Sequence, residues 1–182
     1  MKTIKLTQGR EALVDDCDYA FLMQWKWYFS KRKRDGYAER TVAKPKQHIY
    51  MHRAVAARKG LEGKIDHKDR YRLNNQRPNL RQATGRQNQG NRYANSRKTS
   101  KFKGVCWNKQ RDKWRTQCKT ELKRLLLDFP GTRRGEIEAA YAYDVAALKF
   151  GEFACINRVG HLLDSRTKRR IRQDVIRQLP EN

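Results

Sequence analysis

Apolar and polar positions alternate along Lys2-Thr3-Ile4-Lys5-Leu6 and cluster again at Ala12-Leu13-Val14, which predicts two short strands joined at Gln8-Gly9. Asp15 and Asp16 open an amphipathic stretch that reaches Trp25, a helix with an acidic start. Trp27-Tyr28-Phe29 and Gly36-Tyr37-Ala38 flank the run Lys31-Arg32-Lys33-Arg34-Asp35, a hairpin with a basic tip and Asp35-Gly36 at its turn. Trp25, Trp27 and Tyr28 read better as a small aromatic core than as a base-stacking platform. Ile49 through Ala57 is a second helix, stopped by Gly60.

Residues 64–100 break this regularity. Six Asn and four Gln crowd between the arginines, and apolar residues are few, among them Ile65, Leu73 and Leu80. No ordinary core can be built from such a segment, so it is expected to be disordered or stapled by a bound ion. Two short extended pieces stand out, Lys64-Ile65-Asp66-His67 and Leu80-Arg81-Gln82-Ala83-Thr84. Thr84 can then cap a helix that runs to about Asn91. Period-two patterning returns at Lys103–Trp107, Lys113–Lys119 and Leu125–Phe129, three strands, with Gln110-Arg111-Asp112 at the first turn. Ala139, Ala140, Tyr143, Ala146, Ala147 and Phe150 fall on one face of a helix from about Gly135 to Phe150. A basic helix from Leu162 to Leu179, with a weak apolar stripe, closes the chain. No repeat of 20–50 residues is visible.

Charge sets the partner class. The 182 residues carry 43 Lys+Arg and 19 Asp+Glu, a net charge of 43 − 19 = +24. The excess is +7 over residues 1–63, +8 over 64–100, +6 over 101–158 and +3 over 159–182. Spread in this way and interspersed with aromatics, it resembles a long track along nucleic acid more than a single tail. The rival readings are a solvated surface or a membrane-facing patch. No apolar run spans a bilayer, and the N-terminal stretch lacks an apolar signal core, so neither a membrane segment nor secretion is expected. Cys17, Cys106, Cys118 and Cys155 lie far apart with no CxxC pair, which fits reduced thiols in a cytosol better than a zinc knuckle or disulfide scaffold.

The chemistry gathers in residues 64–100. Folded as strand, loop, strand and helix, the segment brings Asp66, His67 and Asn88 to one point. A carboxylate and an amide oxygen suit a hard Mg²⁺-like ion that keeps several waters. A neutral imidazole beside it can take a proton from an attacking water. Arginines such as Arg81 and Arg86 can hold the phosphate backbone. The run Asp66–Arg92, with its Asp-His pair, Asn79-Leu80 and later Asn88, resembles the ββα-metal (His-Me finger) motif of HNH endonucleases, especially the homing-type enzymes of phages and group I introns. That resemblance implies His67 as general base, Asp66 and Asn88 as ligands of one Mg²⁺ (or Mn²⁺) per active site, and Asn79 as the brace of the loop that orients His67. His52-Arg53 and the N-terminal strands match the lead-in found in such proteins. A glycine usually follows the Asp-His pair in a DHxxG pattern; Arg70 stands there instead.

Residues 101–158 can be read by faces. Trp114, Thr116 and Cys118 share one side of the second strand, suited to the alanine-rich helix, while Lys113, Arg115, Gln117 and Lys119 share the other. The second side is a basic stripe that a major groove could accept. The segments Ser100–Val105, Trp107, Lys113-Trp114-Arg115, Glu138–Asp144 and Phe150–Ala154, closing on Asn157, are similar to the Apetala/ethylene-response-factor type of DNA-binding domain, as it occurs fused to phage HNH nucleases. The resemblance implies a sheet read into the major groove, with Lys103 and Trp107 added to the four basic-stripe residues as DNA contacts. Cys106 and Asn108 stand where plant members tend to place arginine.

The expected architecture is α+β. A small mixed unit (1–63) leads into the ββα-metal nuclease motif and a linker (64–100). A three-stranded antiparallel sheet packed on one helix follows (101–158), then the basic C-terminal helix (159–182), expected either as a solvated helix packing on the nuclease or as an extra phosphate clamp. The expected function is a metal-dependent DNA endonuclease acting on double-stranded DNA in the cytoplasm, that of a bacterial host if phage-encoded, with a monomer favoured. The alternative is a sequence-specific DNA-binding regulator that keeps the HNH fold without turnover. An RNA-binding ribosomal-type protein is a third reading, weakened because RNA binding does not require the ordered Asp-His, Asn and Asn spacing.

Overall fold

The computed structural model describes residues 1–32, 35–93, 99–119 and 123–179, and the chain forms two compact units, Met1–Asn88 and Gln89–Asn182. Lys33 and Arg34 of the expected basic tip, linker positions 94–98 and tail positions 180–182 lie outside the described residues.

In the first unit, β1 (Lys2–Lys5) and β2 (Glu11–Val14) pair antiparallel, with Ile4 opposite Ala12. Helix α1 (Asp16–Leu22) stops before Trp25, because the Trp27 indole takes the Leu22 carbonyl at 2.8 Å and turns the chain there. Strands β3 (Tyr28–Arg32), β4 (Asp35–Val42) and β5 (Gln47–Tyr50) form an antiparallel sheet in that order. Arg32 pairs with Asp35 and Lys31 with Gly36, so the expected Asp35-Gly36 turn is corrected: both residues lie inside β4. Gly36 serves packing instead, since a Cβ there would sit 2.2 Å from the Phe29 ring. Ile49 and Tyr50, expected in a helix, are claimed by pairing with Arg40 and Glu39, and α2 (Met51–Arg58) starts only after them.

Strand β6 (Ile65–His67) runs antiparallel to β7 (Leu80–Gln82), and α3 (Gly85–Gly90) follows. The sparse apolar residues of this segment need no core of their own. Leu73 and Leu80 enter the cluster of Ile4, Val14, Leu22, Met51 and Val55, so the described part of 64–100 is ordered by its neighbours rather than disordered. Burying each such side chain contributes roughly 1.5–3 kcal/mol.

In the second unit, β8 (Val105–Asn108), β9 (Lys113–Lys119) and β10 (Arg124–Pro130) form an antiparallel sheet with β9 central. Helix α4 (Arg133–Ala147) lies on one face. It begins two residues earlier than the apolar spacing predicts, because the Thr132 hydroxyl caps the Gly135 N–H at 3.1 Å. It ends at Ala147, where a 3₁₀ stretch (Leu148–Phe153) takes over through Gly151 at φ 53°. The alanines let helix and sheet approach closely: the buried Thr116 hydroxyl donates to the Ala139 carbonyl at 2.7 Å. Val105, Cys118, Leu125 and Phe129 fill the gap. Helix α5 (Ser165–Gln178) buries Ile171 and Val175 in the same core, and Arg170 donates to Glu138 at 2.7 Å. The tail's apolar stripe therefore faces α4.

Candidate active site

Strand β6 is three residues long, and its pairing sets Asp66 opposite Arg81 and His67 opposite Leu80. Asp66, His67 and Arg81 are all buried. Arg81 donates from Nε (3.1 Å) and Nη2 (3.0 Å) to Asp66 Oδ2. His67 Nε2 lies 3.3 Å from Asn75 Oδ1. Its ring meets the edge of the His52 ring at 5.1 Å, and Tyr37 and Tyr50 pack around His52. Burial pushes the His52 pKa down to about 3, with His67, Arg53 and Arg72 adding to the shift. Burial also lowers the His67 pKa, against the opposing pull of the Asn75 hydrogen bond and of Asp69 and Asp66. At neutral pH both rings are uncharged, which is the state in which His67 can accept a proton.

The loop from β6 to β7 is held from inside and outside. Arg70 N–H returns to the His67 carbonyl at 3.0 Å, closing a tight turn with Arg70 at φ 68°. That is the left-handed region glycine favours, and it is the position where the resemblance places glycine. Asn79 Oδ1 accepts the Asp69 N–H at 3.0 Å, while its Nδ2 donates to Asp69 Oδ1 at 3.0 Å and to the Asn74 carbonyl at 2.8 Å. One amide thus ties both limbs of the loop. From outside, Leu13 of β2 exchanges two 2.8 Å backbone bonds with Leu73 and Asn75. Asp15 accepts the Arg77 N–H at 2.7 Å. The buried Asp18 takes Arg77 at 2.7 and 2.8 Å and Arg58 at 2.9 Å, and the Arg77 hydrogen bond first, then Arg58, hold its carboxyl below the usual range. The N-terminal strands are therefore the outer wall of this loop.

Past β7, Thr84 and Gln87 cap each other's backbone N–H, at 2.8 and 3.2 Å, so α3 starts on a capping box. Asn88 is half-buried in the first turn, its N–H on the Thr84 carbonyl at 3.0 Å. The structure sets Asp66 and His67 side by side and links Asn79 to their loop; no hydrogen bond joins the Asn88 side chain to them. Among the described residues, no group of three or more His, Cys, Asp and Glu side chains is placed to hold a metal. The Asp66 and Asn88 pair is an all-oxygen donor set of one carboxylate and one amide, a chemistry that fits a hard divalent cation keeping several waters.

In the second unit, Lys113 and Lys119 are exposed on the face of β9 away from α4. Arg115 shares that face, but its guanidinium grips Asp128 across the strand pair at 2.6 and 2.8 Å. Gln117 donates to Cys106 Sγ at 2.9 Å and accepts from Arg124 at 3.1 Å. Trp107 pairs in register with Trp114, on the same side as Val105 and Thr116, and the two rings meet edge-on at 4.9 Å. Its position is on the helix side, opposite the basic stripe. The Lys103 ammonium is bound to the Gly90 carbonyl, and Arg81 is bound to Asp66. Arg86 is half-buried on α3. Sequence reasoning overlooked Asn75, and it took His52 only as part of a lead-in. An Asn74-Asn75 doublet was the visible signal; the ring cluster depends on contacts between β4, β5, α2 and β6.

Comparison with known proteins finds an uncharacterized HNH endonuclease of Acanthamoeba polyphaga mimivirus that is 29% identical over 160 residues, 84% of this chain and 77% of that protein. No known family profile matches the chain. No solved structure matches it. Among the described residues, no helix is long and apolar enough to cross a membrane.

Proposed function

We propose that this chain is an HNH-type nuclease, a DNA endonuclease that hydrolyses phosphodiester bonds with one Mg²⁺ or Mn²⁺. The observation that carries the reading is the buried, neutral His67 beside Asp66, on a strand that leads through a braced loop into a paired strand and a capped helix bearing Asn88. The name of the mimivirus relative supports it. His67 takes the proton of the water that attacks phosphorus, and the bond from phosphorus to the departing ester oxygen breaks. Asp66 and Asn88 would hold the ion, which when bound polarises the phosphate and offsets charge building on the departing oxygen. Asn79 keeps the loop fixed while this happens. The open face of β8, β9 and β10 is the DNA-reading surface of an Apetala/ethylene-response-factor-like module, with Lys113, Lys119, Arg115 and Gln117 toward duplex DNA and Arg86 near the cleaved strand.

One observation favours a second reading. The guanidinium of Arg81 already neutralises Asp66 in a buried pair, as would suit a DNA-binding regulator without turnover. Incubating the full chain with duplex DNA in Mg²⁺, Mn²⁺ or EDTA separates the two. The endonuclease reading expects cuts with either metal and none with EDTA. Tight binding with no cuts under any condition would establish the regulator instead, and cuts that survive EDTA would remove the metal assignment.

A further inference from the structure

We infer that Asn75 is a positioning residue for His67: its buried side-chain oxygen keeps the imidazole proton on Nε2 and so reserves Nδ1 as the proton-accepting atom. The inference rests on the reading of His67 as the base. Asn75 is 1% exposed, and its backbone N–H is fixed on the Leu13 carbonyl at 2.8 Å. Its amide orientation follows from its neighbours. Nδ2 points at the Leu73 carbonyl (3.3 Å) and at Met51 Sδ (3.4 Å), both acceptors. A flipped amide would set oxygen against oxygen in a dry site, so Oδ1 must face the ring, where it lies 3.3 Å from Nε2. An amide oxygen can only accept, so Nε2 must carry the hydrogen. A neutral imidazole has one N–H, and the bond made by one ring nitrogen decides what the other can do. Nδ1 therefore holds the lone pair. The chain from β2 to Leu13, Asn75 and the ring is a built path by which the N-terminal hairpin sets the chemistry of β6. Asn79 holds the loop's shape, whereas Asn75 sets the ring's tautomer.

The direct test is the long-range ¹H–¹⁵N correlation spectrum of the ¹⁵N-labelled full chain at neutral pH, whose cross-peak pattern distinguishes the two neutral tautomers. Wild type should show His67 with its proton on Nε2. A proton on Nδ1 overturns the inference whatever any variant does. Two variants then divide a tautomer role from a packing role. Asn75→Leu matches the volume and deletes the acceptor; it should lose the Nε2–H pattern and lower kcat by ~10–100-fold with KM for DNA unchanged. Asn75→Gln keeps both the amide oxygen and the amide N–H, and should retain the Nε2–H pattern and more of kcat than Asn75→Leu does. If Asn75→Leu folds and keeps both the Nε2–H pattern and kcat, the inference is wrong. A wild type that cuts no DNA would defeat the nuclease reading, while the spectrum would still report the tautomer.

Discussion

Acidification should strip stability from the first unit, and His52 sets the size of the effect. In the folded chain, burial against His67, Tyr37 and Tyr50 pushes its pKa from 6.5 to about 3. In the unfolded chain it titrates near its ordinary value. Between those values the unfolded state binds the extra proton, so the contribution is complete above pH 6.5 and is lost as pH falls from 6.5 toward 3. At about pH 5 the loss is RT ln(1 + 10^1.5), about 2 kcal/mol, and shifting the folded pKa by one unit hardly changes it. His67 is also lowered by burial and loses stability with the same sign. The carboxylates held low, such as Asp18, lose their contribution only as pH falls below the ordinary carboxylate value of 3.8, more acidic than the assay at about pH 5. Against a typical total of ~5–15 kcal/mol, about 2 kcal/mol is large. The assay is urea unfolding in EDTA at about pH 7.5 and about pH 5, followed by pulsed hydrogen exchange of peptides from residues 1–88. His52→Phe keeps a ring in the cluster and should remove about 2 kcal/mol of the pH dependence. A wild-type loss under about 0.5 kcal/mol, or a His52→Phe variant that keeps the full slope, would show that His52 does not carry this pH dependence.

At Arg70, φ 68° costs a side-chain-bearing residue ~1–2 kcal/mol; Arg70→Gly should be neutral to stabilising by about 1 kcal/mol, and Arg70→Val should destabilise, both read from urea midpoints. Asn88→Ala should raise the Mg²⁺ concentration needed for half-maximal cleavage, since it removes one of the two oxygen ligands proposed for the ion; an unchanged metal titration would take Asn88 out of the proposed ligand set. Lys113→Ala and Lys119→Ala should each lower the slope of log affinity against log salt by about one unit if they hold phosphate, and unaltered slopes would move the DNA elsewhere on the surface.

Period-two patterning made β9 legible, because a sheet with one face on α4 imposes it: Thr116 and Cys118 are buried while Lys113 and Lys119 are exposed. The Thr84 cap was legible too, since a capping box is local. The Asp35-Gly36 turn misled because the demand of the Phe29 ring on Gly36 comes from across the hairpin. β5 went unseen, as four residues with two apolar ones carry little period. The outer supports of the loop that follows the Asp66–His67 pair could not be read at all. Asp18 meets Arg77 59 positions away, and Leu13 meets Asn75 through the tertiary fold alone. Arg70 is the instructive case. Its departure from the glycine pattern was visible in sequence, but only the backbone reveals that the left-handed turn persists.

Whether His67 is the base is decided by the cleavage rate of duplex DNA by wild type and by His67→Ala, measured beside their binding affinities in Mg²⁺. The variant deletes a proton acceptor and no positive charge, so binding should hold while cleavage falls by ~10²–10⁴-fold. Cleavage by His67→Ala within a few-fold of wild type would show that another group takes the proton.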